Sequence, residues 1–311
     1  MNNRRIIPIF VPSFMKLYHQ TQQKTHNMED FKNQKLQPAI KLNNNMEIPQ
    51  MGVGTWTLRG ETATNNVCQA LKVGFRHIDT AQMYENEAEV GQGIINSEVL
   101  RNEIFLATKV APPTMRAGEE AVRKSIDDSL SRLKTPYLDL LLIHWPVKDC
   151  VKFTWKIMES YVKKGKIRSI GVSNFNPNHL EELLSYAEIR PVINQIEVHP
   201  YMSQVENFAF NRNLGIQVEA WGPFGQGDID IAGNPVLQSL AKKYQKTIPQ
   251  IVLRWIVQRG LITIPRCKPN HFAENLAVME FSLAEEDMQV INGLNQNHRS
   301  DPRNNPDDFP W

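Results

Sequence analysis

From Gly52 onward, short apolar runs alternate with amphipathic segments eight times, and this repetition restricts the fold more than any other feature of the chain. The runs lie near Gly52 to Thr55, His77 to Asp79, Ile104 to Lys109, Leu138 to His144, Ser169 to Val172, Ile193 to Val198, Gln217 to Ala220 and Leu261 to Pro265. Runs that are apolar nearly throughout read as strands covered on both faces, the situation in a parallel sheet clothed with helices. The intervening segments carry helical stripes. Between Glu119 and Leu133, the side chains of Val122, Ile126, Leu130 and Leu133 fall close to one face. The segment from Thr154 to Lys164 ends in Lys163-Lys164-Gly165, cations in the last turn followed by a terminating glycine. Pro177 to Tyr186 opens with Asn176 as a cap and proline at the first helical position. Eight such units in about 230 residues predict an α/β fold, a closed (β/α)8 TIM barrel, over an open doubly wound sheet. The glycines agree. Gly52-Val53-Gly54 and Gly91-Gln92-Gly93 lack the third glycine and the downstream acid of a dinucleotide-binding turn.

Trimmings surround the barrel. Apolar pieces between Ile40 and Met51 flank Asn43-Asn44-Asn45, which predicts an N-terminal β-hairpin outside the main sheet. Ser300 to Trp311, rich in Asp, Asn and Pro, is expected to be a C-terminal coil tail lying over a barrel mouth. Residues 1–36 differ in character: a basic start, Asn2-Asn3-Arg4-Arg5, then an apolar patch from Ile6 to Phe14 broken by Pro8 and Pro12, then a Gln/Lys/Asn-rich stretch. They read as a disordered extension, or as an upstream start before Met28, and not as a secretory signal. Residues 37–311 are left as one barrel domain, and 311 residues accommodate a barrel of roughly 250 without strain. With 35 basic and 33 acidic residues, the net charge of +2 argues against nucleic acid or an anionic membrane as partner. No apolar run approaches the ~18 residues of a membrane span. Cys68, Cys150 and Cys267 lie far apart, which suits a reducing, cytoplasmic setting and offers no thiolate metal site.

In a parallel barrel the carboxyl edge carries the chemistry. Asp79, Lys109 and His144 end three successive runs and should emerge there together, with Tyr84 a few residues beyond Asp79. Singly, each has a plain structural reading: half of an ion pair, a satisfied core histidine, a packing aromatic at a helix start. Together they form a set suited to protonating a carbonyl oxygen, because a phenol of pKa ~10 is tuned by a nearby cation. Tyr84 is the candidate acid.

Five blocks in order give the chain a resemblance to the aldo-keto reductases, in the prokaryotic-type branch that includes 2,5-diketo-D-gluconate reductases. They are GFRHIDTAQMYENEAEVGQG (74–93), Ile143-His144-Trp145-Pro146, GKIRSIGVSNF (165–175), NQIEVHPY (194–201) and EAWGPFGQG (219–227). The resemblance implies hydride transfer from a nicotinamide dinucleotide to a carbonyl carbon. Tyr84 would give the proton, Lys109 held by Asp79 would lower the phenol's pKa, and His144 would orient the substrate oxygen. It further implies that Gly54, Thr55 and Asp79 border the cofactor, and that Ser173, Asn174 and Gln195 hold the nicotinamide carboxamide. Trp221 would stack on the nicotinamide, where relatives usually place tyrosine. Gly222, Pro223, Phe224, Gly225 and Gly227 would bring backbone N–H groups to the pyrophosphate. Trp56, Tyr84, His144 and Trp145 would wall an open pocket for small polar aldehydes, ketones, keto-sugars or dicarbonyls. Only the stretch from Val147 to Lys156 separates that wall from the body of the next helix, which leaves little chain for a lid. A monomer is expected.

Cofactor choice is where the chain departs from its relatives. The adenosine 2′-phosphate would be read by the stretch from Pro265 to Asn275, which is one residue shorter than usual. Cys267 stands in place of a serine and His271 about where an arginine would be, with Glu274 and Asn275 closing the stretch. Arg266 and Lys268 supply two fixed cations against those losses. The expectation is NADPH over NADH, by less than is usual and by more in acid, where histidine gains a proton. A nucleotide-sensing barrel with incidental turnover is the competing reading, and the intact set of four speaks against it. A metal-dependent hydrolase is disfavoured, since no His-x-His or carboxylate cluster falls at the strand ends.

Overall fold

The structure, a computed structural model, describes residues 38–309, so the expectations for residues 1–36 lie outside the described residues. Strands β1 (Ala39–Lys41) and β2 (Glu47–Pro49) pair antiparallel around the Asn43-Asn44-Asn45 turn. Asn43 Nδ2 donates to the carbonyls of Pro191 and Gly215 at 2.9 and 3.1 Å, and Asn44 Nδ2 donates to Ser169 Oγ at 2.9 Å. These acceptors lie just ahead of three barrel strands, so the hairpin covers the amino end of the barrel. Ile48 is buried there in one cluster with Phe105, Leu140, Ile193 and Ile262.

Eight parallel strands then follow one another around a single sheet: β3 (Val53–Gly54), β4 (His77–Asp79), β5 (Phe105–Val110), β6 (Leu140–Ile143), β7 (Ile170–Ser173), β8 (Ile193–Glu197), β9 (Gln217–Trp221) and β10 (Ile262–Thr263). The sheet closes on itself. The Gly52 N–H donates to the Thr263 carbonyl at 2.9 Å, that of Thr263 to Gln50 at 3.0 Å, and that of Gly54 to Pro265 at 3.2 Å. Every residue of β4 to β8 is buried, as continuous apolar runs require when helices cover the outside. The charge inside the fourth run, Asp139, is neutralised at the amino end, where its carboxylate accepts from the Leu106 N–H and pairs with Arg101 and Arg168.

The helices end where their sequences direct. Helix Glu119–Arg132 turns Val122, Ile126 and Leu130 inward. Helix Val151–Lys163 is followed by Gly165 at φ +70°, the left-handed conformation glycine adopts without a Cβ penalty. Helix Pro177–Leu184 is opened by Asn176, whose N–H donates to His179 Nδ1 at 3.1 Å in a reciprocal cap.

Register sets the site. Asp79 is the last residue of β4 and pairs with Ala107, two residues before Lys109, which in turn pairs with Leu142. His144 immediately follows β6. The three polar residues therefore meet at the carboxyl edge.

Candidate active site

At that edge lies a cavity of about 700 Å3. It gathers Gly54, Trp56, Asp79, Tyr84, His144 and Trp145 on one side. The other side is formed by Ser173, Asn174, Gln195, Trp221, Gly222, Pro223, Phe224 and Gly227, with Arg266 at the rim. All of these were singled out from the sequence. Strand periodicity explains the convergence, because the inward positions at each strand's carboxyl end share one mouth.

Lys109 is completely buried behind the cavity wall, where Nζ lies 2.6 Å from Asp79 Oδ1 and 2.8 Å from the Thr80 carbonyl. Burial opposes its charge, but Asp79 and then Tyr84 outweigh that and raise its pKa. Its ammonium stands 5.1 Å from the centroid of the Tyr84 ring. The phenol shifts upward: burial dominates, Lys109 pulls down against it, and Asp79 adds to the rise. The expected lowering by Lys109 is thus present as one influence, while the net direction is up. Tyr84 is consequently protonated at neutral pH, the form a proton donor needs. His144 packs edge-on against Tyr84 with ring centroids 5.7 Å apart. Burial and then the Lys109 cation hold its pKa well below 6.5, so it is a neutral imidazole that can orient an oxygen without carrying charge.

The opposite wall is a hydrogen-bonded lattice. Asn174, at φ +62°, donates from Nδ2 to the His144 carbonyl at 3.0 Å and to Ser173 Oγ at 3.1 Å, and its Oδ1 accepts from Trp221 Nε1 at 2.9 Å. Ser173 Oγ donates to the Gln195 carbonyl at 2.9 Å. The indole is thereby clamped to the backbone that carries His144.

Other expected residues stand elsewhere. Thr55 is buried, donating both its N–H and its hydroxyl to the Asp79 carbonyl at 3.0 Å, and so braces β3 against β4 outside the cavity lining. Gly225 also falls outside the lining, and its N–H donates to the Gly222 carbonyl at 2.9 Å, closing a turn. Past β10, the Cys267 carbonyl accepts from Asn66 Nδ2 at 2.9 Å. Its thiol is driven up to about 12 by burial, eased by Asn275. His271 pairs with Glu274 at 3.1 Å, and Glu274 also accepts from the Thr247 hydroxyl. Lys268 lies exposed at the start of the short helix Pro269–His271. None of Cys267, Lys268, His271, Glu274 or Asn275 lines the cavity.

Of the cavity residues the sequence reading missed, half come from the chain's end, and Met83, Gln226, Asp228 and Ile264 make up the rest. Asp301, Arg303, Asn304 and Phe309 line it, since the C-terminal segment crosses the mouth. Asn176 and Asn178 both donate to Asp307 and anchor that segment. The tail was expected at a mouth, and nothing in its composition ranked its residues. Met83 was hidden between Gln82 and Tyr84 as an ordinary apolar residue. The helix after His144 starts at Val151, leaving only 147–150 as linker, and Phe309, stacked on Trp145, adds to the cavity wall. Among the described residues, no cluster of three or more His, Cys, Asp or Glu could hold a metal ion, and no helix is long and apolar enough to cross a membrane.

The aldo/keto reductase family profile matches residues 50–296. Glyoxal reductase of Bacillus subtilis is 45% identical over 276 residues, covering 88% of this chain and 98% of the relative. Methylglyoxal reductase DkgA of Escherichia coli K12 is 40% identical over 274 residues, covering 87% and 98%. Among solved structures, a Bombyx mori aldo-keto reductase in complex with NADP superposes with a TM-score of 0.81 at 36% identity, covering 89% of this chain and all of that one. The chain belongs to the aldo/keto reductase family, as the ordered blocks of its sequence implied, and is an oxidoreductase.

Proposed function

We propose that the protein reduces small aldehydes and ketones, keto-sugars and dicarbonyls among them, to alcohols, with NADPH as hydride donor and Tyr84 as general acid. The observation that carries this reading is the placement of Tyr84 on the cavity wall between Lys109, ion-paired to Asp79, and His144. The donor set fits a nicotinamide: Gln195 offers an amide oxygen, Ser173 a hydroxyl and Trp221 a clamped aromatic face, all on one wall. When bound, the cofactor supplies a hydride to the carbonyl carbon. As charge builds on the carbonyl oxygen, Tyr84 delivers its proton there, and Lys109 stabilises the phenolate left behind. His144 holds the oxygen within reach of the phenol.

With the nicotinamide sharing a cavity of about 700 Å3, the space left beside Trp56, Met83 and Trp145 suits a compact substrate. Relatives named glyoxal and methylglyoxal reductases point the same way. NADPH is favoured because Arg266 and Lys268 are exposed and neither has a carboxylate partner among the described residues. The three free cysteines support a reducing, cytoplasmic compartment, and we place the protein there as a monomer. The test is NADPH oxidation, followed by near-ultraviolet absorbance, with glyoxal, methylglyoxal, a keto-sugar and a steroid ketone. Turnover of the small carbonyls with poor use of the steroid is expected. Tight nucleotide binding without turnover of any of them would replace this reading with that of a sensing barrel.

A further inference from the structure

One layer further into the barrel lies a pair of buried polar groups that the proposed chemistry leaves unused. His77 and Glu219 stand two residues before Asp79 and Trp221 on β4 and β9, so strand alternation turns them into the barrel behind the mouth. Both are sealed from solvent. Between Glu219 and the Lys109–Asp79 pair sits Gln195, whose Nε2 donates to Asp79 Oδ2 at 2.9 Å and to Glu219 Oε2 at 2.7 Å. Both hydrogens of that nitrogen are then used. Turning the amide over would set its oxygen against the Asp79 carboxylate, which has no hydrogen to give, so that neighbour dictates its orientation. Gln195 Oε1 accepts from no group among the described residues and is not sealed from the cavity.

Resting on the function proposed above, we propose that Glu219 is a positioning residue for the cofactor, which fixes the Gln195 amide so that Oε1 is left to accept from the nicotinamide carboxamide. Two carboxyls share one amide nitrogen, and their protonation states follow from what surrounds them. Asp79 has Lys109 as a direct partner and Glu219 does not. Burial first, and then the charge of Asp79, push the Glu219 carboxyl up to about 8, so at neutral pH it is an acid that adds no second negative charge. Its other oxygen, Oε1, faces His77 Nε2 at 3.5 Å, and neither atom has a hydrogen-bond partner among the described residues. Burial and then Lys109 hold His77 at about 3, so its imidazole is neutral and can accept. The charged and titratable groups around Glu219 are therefore His77 and Asp79 on β4, Tyr84 beyond it and Lys109 on β5, while β8 presents the uncharged Gln195. Gly52 makes room for the arrangement: a Cβ there would fall 2.6 Å from His77 Nδ1.

The test compares binding of NADPH with binding of 2′-phospho-ADP-ribose, the same molecule without its nicotinamide. Glu219→Met fills the space but offers Gln195 no strong acceptor, and Glu219→Leu replaces it should the methionine variant not fold. Losing one buried partner should weaken NADPH about tenfold. Affinity for 2′-phospho-ADP-ribose should stay within about twofold of wild type, since that ligand ends before Gln195. Glu219→Gln, which keeps an acceptor, should recover most of the NADPH affinity. Equal weakening of both ligands, unchanged NADPH affinity in Glu219→Met, or no recovery in Glu219→Gln overturns the proposal. If wild-type protein binds NADPH but turns over no carbonyl, the function proposed above fails while the role of Glu219 in binding still stands or falls on these affinities.

Discussion

Phe309 lies flat on Trp145, with ring centroids 3.5 Å apart and planes inclined by 3°. The stack joins the C-terminal segment to the loop that carries His144, so one wall of the cavity depends on a residue about as far along the chain as the described residues extend. Replacing Phe309 with Ala should remove contact worth roughly 0.5–1.5 kcal/mol, raising KM for dicarbonyls by about two- to tenfold and lowering kcat less. Steady-state kinetics with methylglyoxal decide it. An unchanged KM would mean that the tail covers the mouth without touching substrate.

Tyr84→Phe removes one oxygen and leaves the ring that packs against His144 and Lys109. Reductase activity should fall by far more than tenfold while NADPH affinity stays within about twofold. Retention of more than about a tenth of kcat, a barrier change below ~1.4 kcal/mol, would remove Tyr84 from the role of acid.

Lys109→Met takes the partner from a carboxylate that is itself buried. Leaving Asp79 uncompensated should cost about 3–5 kcal/mol of stability by urea unfolding, besides abolishing turnover. Adding Asp79→Asn should restore much of the stability and none of the activity. Parallel recovery of both would show that the pair only supports the fold.

The barrel was legible because its strands are continuous apolar runs bounded by caps and glycines, and registers such as Asp79 against Ala107 follow once the strands are parallel. Asp79, Tyr84, Lys109 and His144 were legible for the same reason, each lying at or just beyond a strand end. Phe309, Arg303 and Asp301 were not, because a coil tail has no period from which to deduce facing. Gly225 illustrates a related point: a glycine in a Gly/Pro loop looks the same in sequence whether its N–H is open or, as here, closes a turn on Gly222. Glu219 was visible as the start of a recognised block, yet its importance depends on Gln195 reaching two carboxyls across neighbouring strands, which no local pattern records.

Arg266 lines the rim and donates to the Thr57 hydroxyl, whereas His271 is occupied by Glu274. Arg266→Ala should therefore lower kcat/KM for NADPH about tenfold, as expected for one lost charged contact, and leave NADH nearly unaffected. Equal loss with both cofactors in Arg266→Ala would place that side chain away from the 2′-phosphate.

His77 and Glu219 also make stability depend on pH in a way that separates them. For Glu219, raised from 4.5 to about 8, the folded state holds a proton that the unfolded state has lost, so its contribution is full below 4.5 and disappears as pH rises to 8. For His77, lowered from 6.5 to about 3, the unfolded state binds the extra proton, so stability is full above 6.5 and lost as pH falls to 3. Between 4.5 and 6.5 the two oppose each other. Above 6.5 only Glu219 still acts, and its limiting slope of ~1.36 kcal/mol per pH unit gives a decline of up to about 2 kcal/mol by pH 8. Urea unfolding of wild type at pH 6.5, 7.2 and 8.0 should follow this fall, and Glu219→Gln, which cannot titrate, should be flat over the same interval. A decline of equal size in the variant would assign the titration to another group and leave Glu219 ionised in the folded protein.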